Sequence, residues 1–174
     1  RINRILLLIV AFVVTVFANA EAFTMRDAVL WQGKKGIGSV TPSIDGVSYY
    51  QMRGASKIVK VDYKTGAETV VFDSSSARDC EISQWNGFEL SPDESKILLY
   101  VNYEPIYRHS FRADYYVYEI RHNKLSKLSN AGREEIATFS PDGRMVAYVH
   151  QNNIYIKKLD YGSEVAVTTD GKIN

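Results

Sequence analysis

The sequence predicts an all-β chain: the first blades (about three) of an incomplete β-propeller, preceded by a signal peptide and a short helix. Three observations predict it. A Ser-x-Asp turn recurs three times at nearly constant spacing. A pair of alternating segments joined by a polar turn follows each copy. An apolar leader ending in small residues precedes the first copy.

The leader comes first. Arg1 and Arg4 flank the start of an apolar run from Ile5 to Phe17, broken only by Thr15, and Ala18-Asn19-Ala20 follows. A positive start, an apolar middle and an A-x-A cleavage signal make a secretory signal peptide. The run is shorter than the roughly 20 apolar residues a spanning helix needs, so a retained anchor is the alternative. Residues 1–20 are therefore assigned to a signal peptide, and the protein is expected to be exported, periplasmic or extracellular. Residues 21–37 form a short helical lead-in. Thr24 with Asp27 three positions later is a capping signal, Ala28 to Trp31 continue the run, and Gly33 ends it.

Residues 38–174 form the partial propeller, with blades at about 38–80, 81–130 and 131–174. Ser140-Pro141-Asp142-Gly143 leads into Arg144 to Tyr148, and Ser91-Pro92-Asp93-Glu94 leads into Ser95 to Tyr100. Ser43-Ile44-Asp45-Gly46 is the weakest copy. Pro92 and Pro141 are 49 positions apart, and Asp45 and Asp93 are 48 apart. Propeller blades repeat every ~40–50 residues. In such a turn Pro fixes φ, Asp bonds nearby backbone and Gly permits positive φ. The second strand pair of each unit is expected at Lys57–Asp62 with Ala67–Phe72, Tyr115–Ile120 with Leu125–Leu128, and Ile154–Leu159 with Glu164–Thr168. Four antiparallel strands make one blade, and rings close with about 4–8 blades. Three units are therefore expected to belong to a larger protein.

Composition excludes several function classes. Lys and Arg number 21 against 20 Asp and Glu, which leaves no basic footprint for nucleic acid. The single Cys80 cannot form an internal disulfide. His109, His122 and His150 lack metal-ligand spacing, and no phosphate loop occurs, so no metal and no cofactor are expected. Arg53, Lys57 and Lys60 are expected on a solvated strand face.

The repeats differ in one place. Pro141 lies 14 positions before the strand aromatic Tyr155, whereas Pro92 lies 26 before Tyr118. About a dozen extra residues, roughly Asn102 to Asp114, are expected as a long loop. Binding residues concentrate in such loops, and Arg is a planar donor suited to a carbonyl or carboxylate. A solvated surface loop is the alternative, and the residues alone favour it.

Here the residues become recognisable. Tyr107-Arg108-His109-Ser110-Phe111, with Ala113 to Tyr118 after it, resembles the Arg-His-Ser segment of the dipeptidyl peptidase IV family. Glu89 to Tyr100 before it and Thr138 to Leu159 after it agree in order. The resemblance implies a propeller that caps an α/β-hydrolase domain and an enzyme that releases X-Pro or X-Ala dipeptides from peptide N-termini. It implies substrate binding by Arg108, through the peptide backbone carbonyl, and by His109, as a support of the loop. Tyr107 and Phe111 are expected to pack the loop. The implied partners are a peptide with a free N-terminus, the protein's own C-terminal hydrolase domain, and a second copy in a homodimer.

Departures from the family matter as much. No G-x-S-x-G elbow is present, because Gly36-Ile37-Gly38-Ser39-Val40 misplaces its Ser. Catalytic residues are therefore expected to be absent, and the chain alone is expected to be inactive. Glu134-Glu135 lacks the Trp and Tyr context of the family's amine-binding pair. The rival readings are a non-enzymatic TolB-like binding propeller and a related peptidase such as a prolyl tripeptidyl peptidase.

Overall fold

The structure, a computed structural model, describes Met25, residues 38–108 and residues 110–172. The signal peptide lies outside the described residues. So does the helical lead-in, apart from Met25, which is helical and exposed.

Residues 38–172 are built of antiparallel strands. The first four are β1 (Val40–Pro42), β2 (Ser48–Arg53), β3 (Lys57–Asp62) and β4 (Glu68–Asp73). The next four are β5 (Gly87–Leu90), β6 (Lys96–Pro105), β7 (Phe111–Glu119) and β8 (Lys124–Lys127). The last four are β9 (Glu134–Phe139), β10 (Met145–His150), β11 (Asn153–Lys158) and β12 (Glu164–Ala166). Each group of four pairs in sequence order, as a blade does. The second and third groups also join into one sheet, because Arg112 and Ala113 of β7 pair with Glu135 and Glu134 of β9. One edge of β7 thus carries β8 along its C-terminal half and β9 at its N-terminal end.

In the second and third units the repeated turn launches the second strand by the same bonds, whereas in the first Ser48 N–H donates to Asp45 Oδ1 (3.0 Å). In the third unit Gly143 N–H donates to the Ser140 carbonyl (2.8 Å) and Met145 N–H to Ser140 Oγ (3.0 Å), while Asp142 Oδ1 accepts from Arg144 N–H (3.1 Å). The second unit repeats this with Glu94 N–H on the Ser91 carbonyl, Lys96 N–H on Ser91 Oγ and Ser95 N–H on Asp93 Oδ1. Ser91 Oγ–H and the neighbouring amide hold the Asp93 carboxyl down at about 2.

The turns also nest from unit to unit. Gly143 sits so close to the second turn that a Cβ there would lie 3.2 Å from Asp93 Oδ1. The matching position in the second unit is Glu94, which holds a left-handed φ of 54° where Gly46 and Gly143 hold 70° and 66° in their own turns. That conformation is uncommon for a side-chain-bearing residue. The Glu94 carboxylate reaches back to the first unit, where it accepts from Ser43 Oγ (2.9 Å), Ile44 N–H (2.7 Å) and Tyr50 Oη (2.7 Å). Lys60 bridges Glu94 (3.4 Å) and Asp45 (2.9 Å), so it is committed between units and not on a solvated face. Arg53 and Lys57 pair within the first unit, with Glu68 and Asp73.

Two cores flank the second unit. Tyr50, Ile58 and Phe72 of the first unit meet Trp85, Ile97, Leu99, Tyr118 and Leu125 of the second. Phe72 places Trp85 and Tyr118 edge-on at 4.9 and 4.7 Å between centroids. On the other side Leu98, Tyr115 and Val117 meet Ala137, Phe139, Val146 and Tyr148. The alternation of a strand sends Ile97 and Leu99 one way and Leu98 the other, so all three are buried. Cys80 is half-buried and unpaired, with its thiol on the Ile82 carbonyl at 3.1 Å.

Candidate functional site

The residues that break the repeat do not form a loop. They extend β6 and β7 into a long hairpin. Twelve residues, Asn102 to Ala113, separate the paired Val101 and Asp114, where two, Gln151 and Asn152, separate His150 and Asn153 in the third unit. The register also equates Tyr155 with Tyr116, because Tyr155 pairs with Tyr148 and Tyr116 with Leu99 at the same distance from the repeated Ser. The extension is thus ten residues, not a dozen. Glu104 pairs with Arg112 and Pro105 with Phe111, and only Ile106 to Ser110 form the tip.

The tip closes where Ile106 N–H and Tyr107 N–H both donate to the Ser110 carbonyl, at 2.9 and 3.2 Å. A bulge interrupts the hairpin at Asn102, whose φ is 55°, and the register shifts between Val101 and Glu104. One extra residue reverses the alternation beyond it. Tyr103 therefore joins Tyr100, Phe111 and Tyr115 in one aromatic cluster, with Tyr103 to Phe111 at 4.7 Å and Tyr100 to Phe111 at 5.1 Å.

Charged side chains tie the hairpin down. Asn102 Nδ2 donates to Asp114 Oδ2 at 2.6 Å, and Lys127 stands 3.8 Å from the same carboxylate. Arg112 pairs with Glu135 of β9 at 2.8 Å, and Glu104 pairs with Arg133 just before β9. Arg108 differs from these. It lies exposed in the tip, and no described residue bonds its guanidinium. His109 lies outside the described residues. Phe111 packs as expected, but Tyr107 is 77% exposed and takes no part in the aromatic cluster of Tyr100, Tyr103, Phe111 and Tyr115.

The pair set aside in the sequence occupies a junction. Glu135 is the Arg112 partner, and Glu134 is fully buried. Burial pushes the Glu134 carboxyl up to about 7, with Asp114 adding to the shift and Lys127 opposing it. Nothing in the local sequence marks this, because Glu134 looks like any surface acid until β9 is known to pair with β7. Among the described residues no group of His, Cys, Asp and Glu is placed to hold a metal ion.

Three antiparallel four-stranded units with buried faces between them define the class: blades of an incomplete β-propeller. The chain belongs to the dipeptidyl peptidase IV family, and residues 91–174 match the dipeptidyl peptidase IV N-terminal region. The crystal structure of Porphyromonas gingivalis dipeptidyl peptidase 4 superposes with a TM-score of 0.77 at 38% identity, covering 88% of this chain and 23% of that one. Human prolyl endopeptidase FAP is 28% identical over 161 residues, 90% of this chain and 21% of its own length. Cat dipeptidyl peptidase 4 is 30% identical over 128 residues, 72% of this chain and 16% of its own. The chain spans about a fifth of the length of these relatives.

Proposed function

We propose that this chain is the substrate-side wall of an exported, serine-type dipeptidyl peptidase that releases X-Pro or X-Ala dipeptides from peptide N-termini. Arg108 binds the backbone carbonyl of the peptide, and His109 supports it. The carrying observation is the guanidinium of Arg108, which no described residue bonds, held out at the tip of a hairpin whose other charged residues, Glu104 and Arg112, are already paired. A planar fork of donors held on a stiff support fixes a carbonyl in place and so brings the scissile bond to near-attack geometry. The chain has no G-x-S-x-G elbow. On this reading the hydrolytic chemistry belongs to an α/β-hydrolase domain docked beside the propeller, and the chain alone is inactive. A free amino terminus on the peptide, export directed by residues 1–20, and a homodimer complete the reading. Nucleic acid has no place in it.

The test is hydrolysis of a Gly-Pro chromogenic substrate by the whole natural protein, wild type beside Arg108→Ala. The expected fall in kcat/KM is ~10- to 100-fold with folding unchanged. Unchanged activity would remove Arg108 from the site. A folded wild type that never cleaves the substrate would favour a binding propeller or a different peptidase.

A further inference from the structure

The hairpin that carries Arg108 pairs with β9 of the third unit at Arg112 and Ala113, and a buried acid sits there. Glu134 is fully buried on β9, opposite Ala113 of β7. Its Oε2 accepts one long bond, from Tyr115 N–H at 3.4 Å, and its Oε1 has no protein partner. A buried carboxylate so poorly served is costly in its ionised form, whereas the neutral acid loses far less on burial. The backbone beside it is strained. Ile136, two residues on, is β-branched and 64% exposed, yet holds a φ of 54°. For such a residue this is a true outlier, and it persists only where its surroundings enforce it. The strain falls where β9 stops pairing with β7 and its register on β10 shifts.

We propose that Glu134 is a positioning residue whose protonation state governs how firmly β9 holds the hairpin carrying Arg108. Neutral Glu134 lets the Ala113–Glu134 and Arg112–Glu135 pairs close. Ionised Glu134 draws water to the junction and loosens them. The functional consequence rests on the peptide-positioning role of Arg108; the structural one does not.

The groups facing Glu134 set the direction. From β7 come Arg112, which is held by Glu135, then Asp114, Tyr115 and Tyr116. From β8 comes Lys127, and from β10 come Tyr148 and, at the Arg133 carbonyl, His150. Asp114 disfavours a second negative charge, and Lys127 is already engaged with Asp114. Glu134 therefore takes its proton more readily folded than unfolded. Its contribution is fully present below the ordinary glutamate range and is lost as pH rises through about 7.

The experiment is amide hydrogen exchange at Arg112 and Ala113 in the whole natural protein at pH 6 and pH 8, corrected for intrinsic exchange. Wild type should lose about tenfold or more of its protection on going to pH 8. Glu134→Gln should show no such loss, and His150→Asn should keep it, which separates the imidazole. On the Gly-Pro substrate, KM of wild type should rise over the same pH range with kcat steady, and KM of Glu134→Gln should not. Flat protection in wild type, or an equal loss in Glu134→Gln, would overturn the proposal. Should Glu134→Gln fail to fold, a carbon-13 titration of the wild-type Glu134 carboxyl decides, and a midpoint in the ordinary glutamate range overturns it. A pH-dependent junction combined with indifference to Arg108→Ala would sink the peptide-positioning reading and leave Glu134 in control of the hairpin.

Discussion

Between the paired Val101 and Asp114 the second unit runs through twelve residues; between His150 and Asn153 the third turns on Gln151 and Asn152, both at positive φ. Both connections leave the same side of a four-stranded blade. The third takes the shortest route a hairpin has. The second continues its ladder to Pro105 and Phe111, so the backbone groups of the extension are mostly paired, and its tip is reduced to five residues. An irregular loop of that length would have left Arg108 on a mobile segment. Extending the strands instead puts it on a stiff arm, which the aromatic cluster and the Arg112–Glu135 pair brace. The two units also differ at the fourth turn position, where Glu94 clasps its neighbour through side-chain bonds and Gly143 meets its neighbour by close approach.

Giving the second unit the third unit's turn should have the largest effect. Replacing residues 102–113 with Asn-Gly should lower kcat/KM of the whole protein by ~100-fold or more while near-native strand content remains by circular dichroism. Unfolding of the chain would show instead that the arm is part of the core. Next in size is Glu94→Ala, which keeps the strained backbone and loses the clasp, for about 2–3 kcal/mol in urea unfolding. Glu94→Gly should lose about 1 kcal/mol less, because it relieves the φ of 54°. Equal losses would mean that the turn carries no strain. Gly143→Ala should destabilise by about 1–2 kcal/mol, since φ is 66° and Asp93 lies 3.2 Å from the new methyl. Arg112→Gln should matter least to stability, below about 1 kcal/mol, because the pair with Glu135 is half-exposed.

Much of the fold was legible in the sequence because turn chemistry is local. The Ser-Pro-Asp turns and the polar hairpin turns placed β3 at its observed bounds and β4, β8, β11 and β12 within a few residues of theirs. The bulges were not legible. One extra residue at Asn102 breaks the period of two on which strand recognition depends, so a paired hairpin carrying Pro105 and several charges read as a loop. Lys60 and Glu134 were missed for a different reason. Each looks like a surface charge within its own strand, and only the approach of a neighbouring unit gives Lys60 its two carboxylates and buries Glu134. Arg108 was singled out because its segment resembles a known one. Its spacing alone did not distinguish it from a solvated arginine.

The nested turns carry a last consequence, for how blades find their order. Units so alike could pair with the wrong neighbour during folding, as repeats are prone to do. The fourth turn position makes the seams unlike. Glu94 needs a hydroxyl, an amide and a lysine across the seam, which Ser43, Ile44 and Lys60 supply. Gly143 accepts only a neighbour that comes within touching distance of its backbone. A single residue in a shared turn thereby acts as a key cut for one adjacent blade, and exchanging Glu94 and Gly143 would give each seam the key of the other.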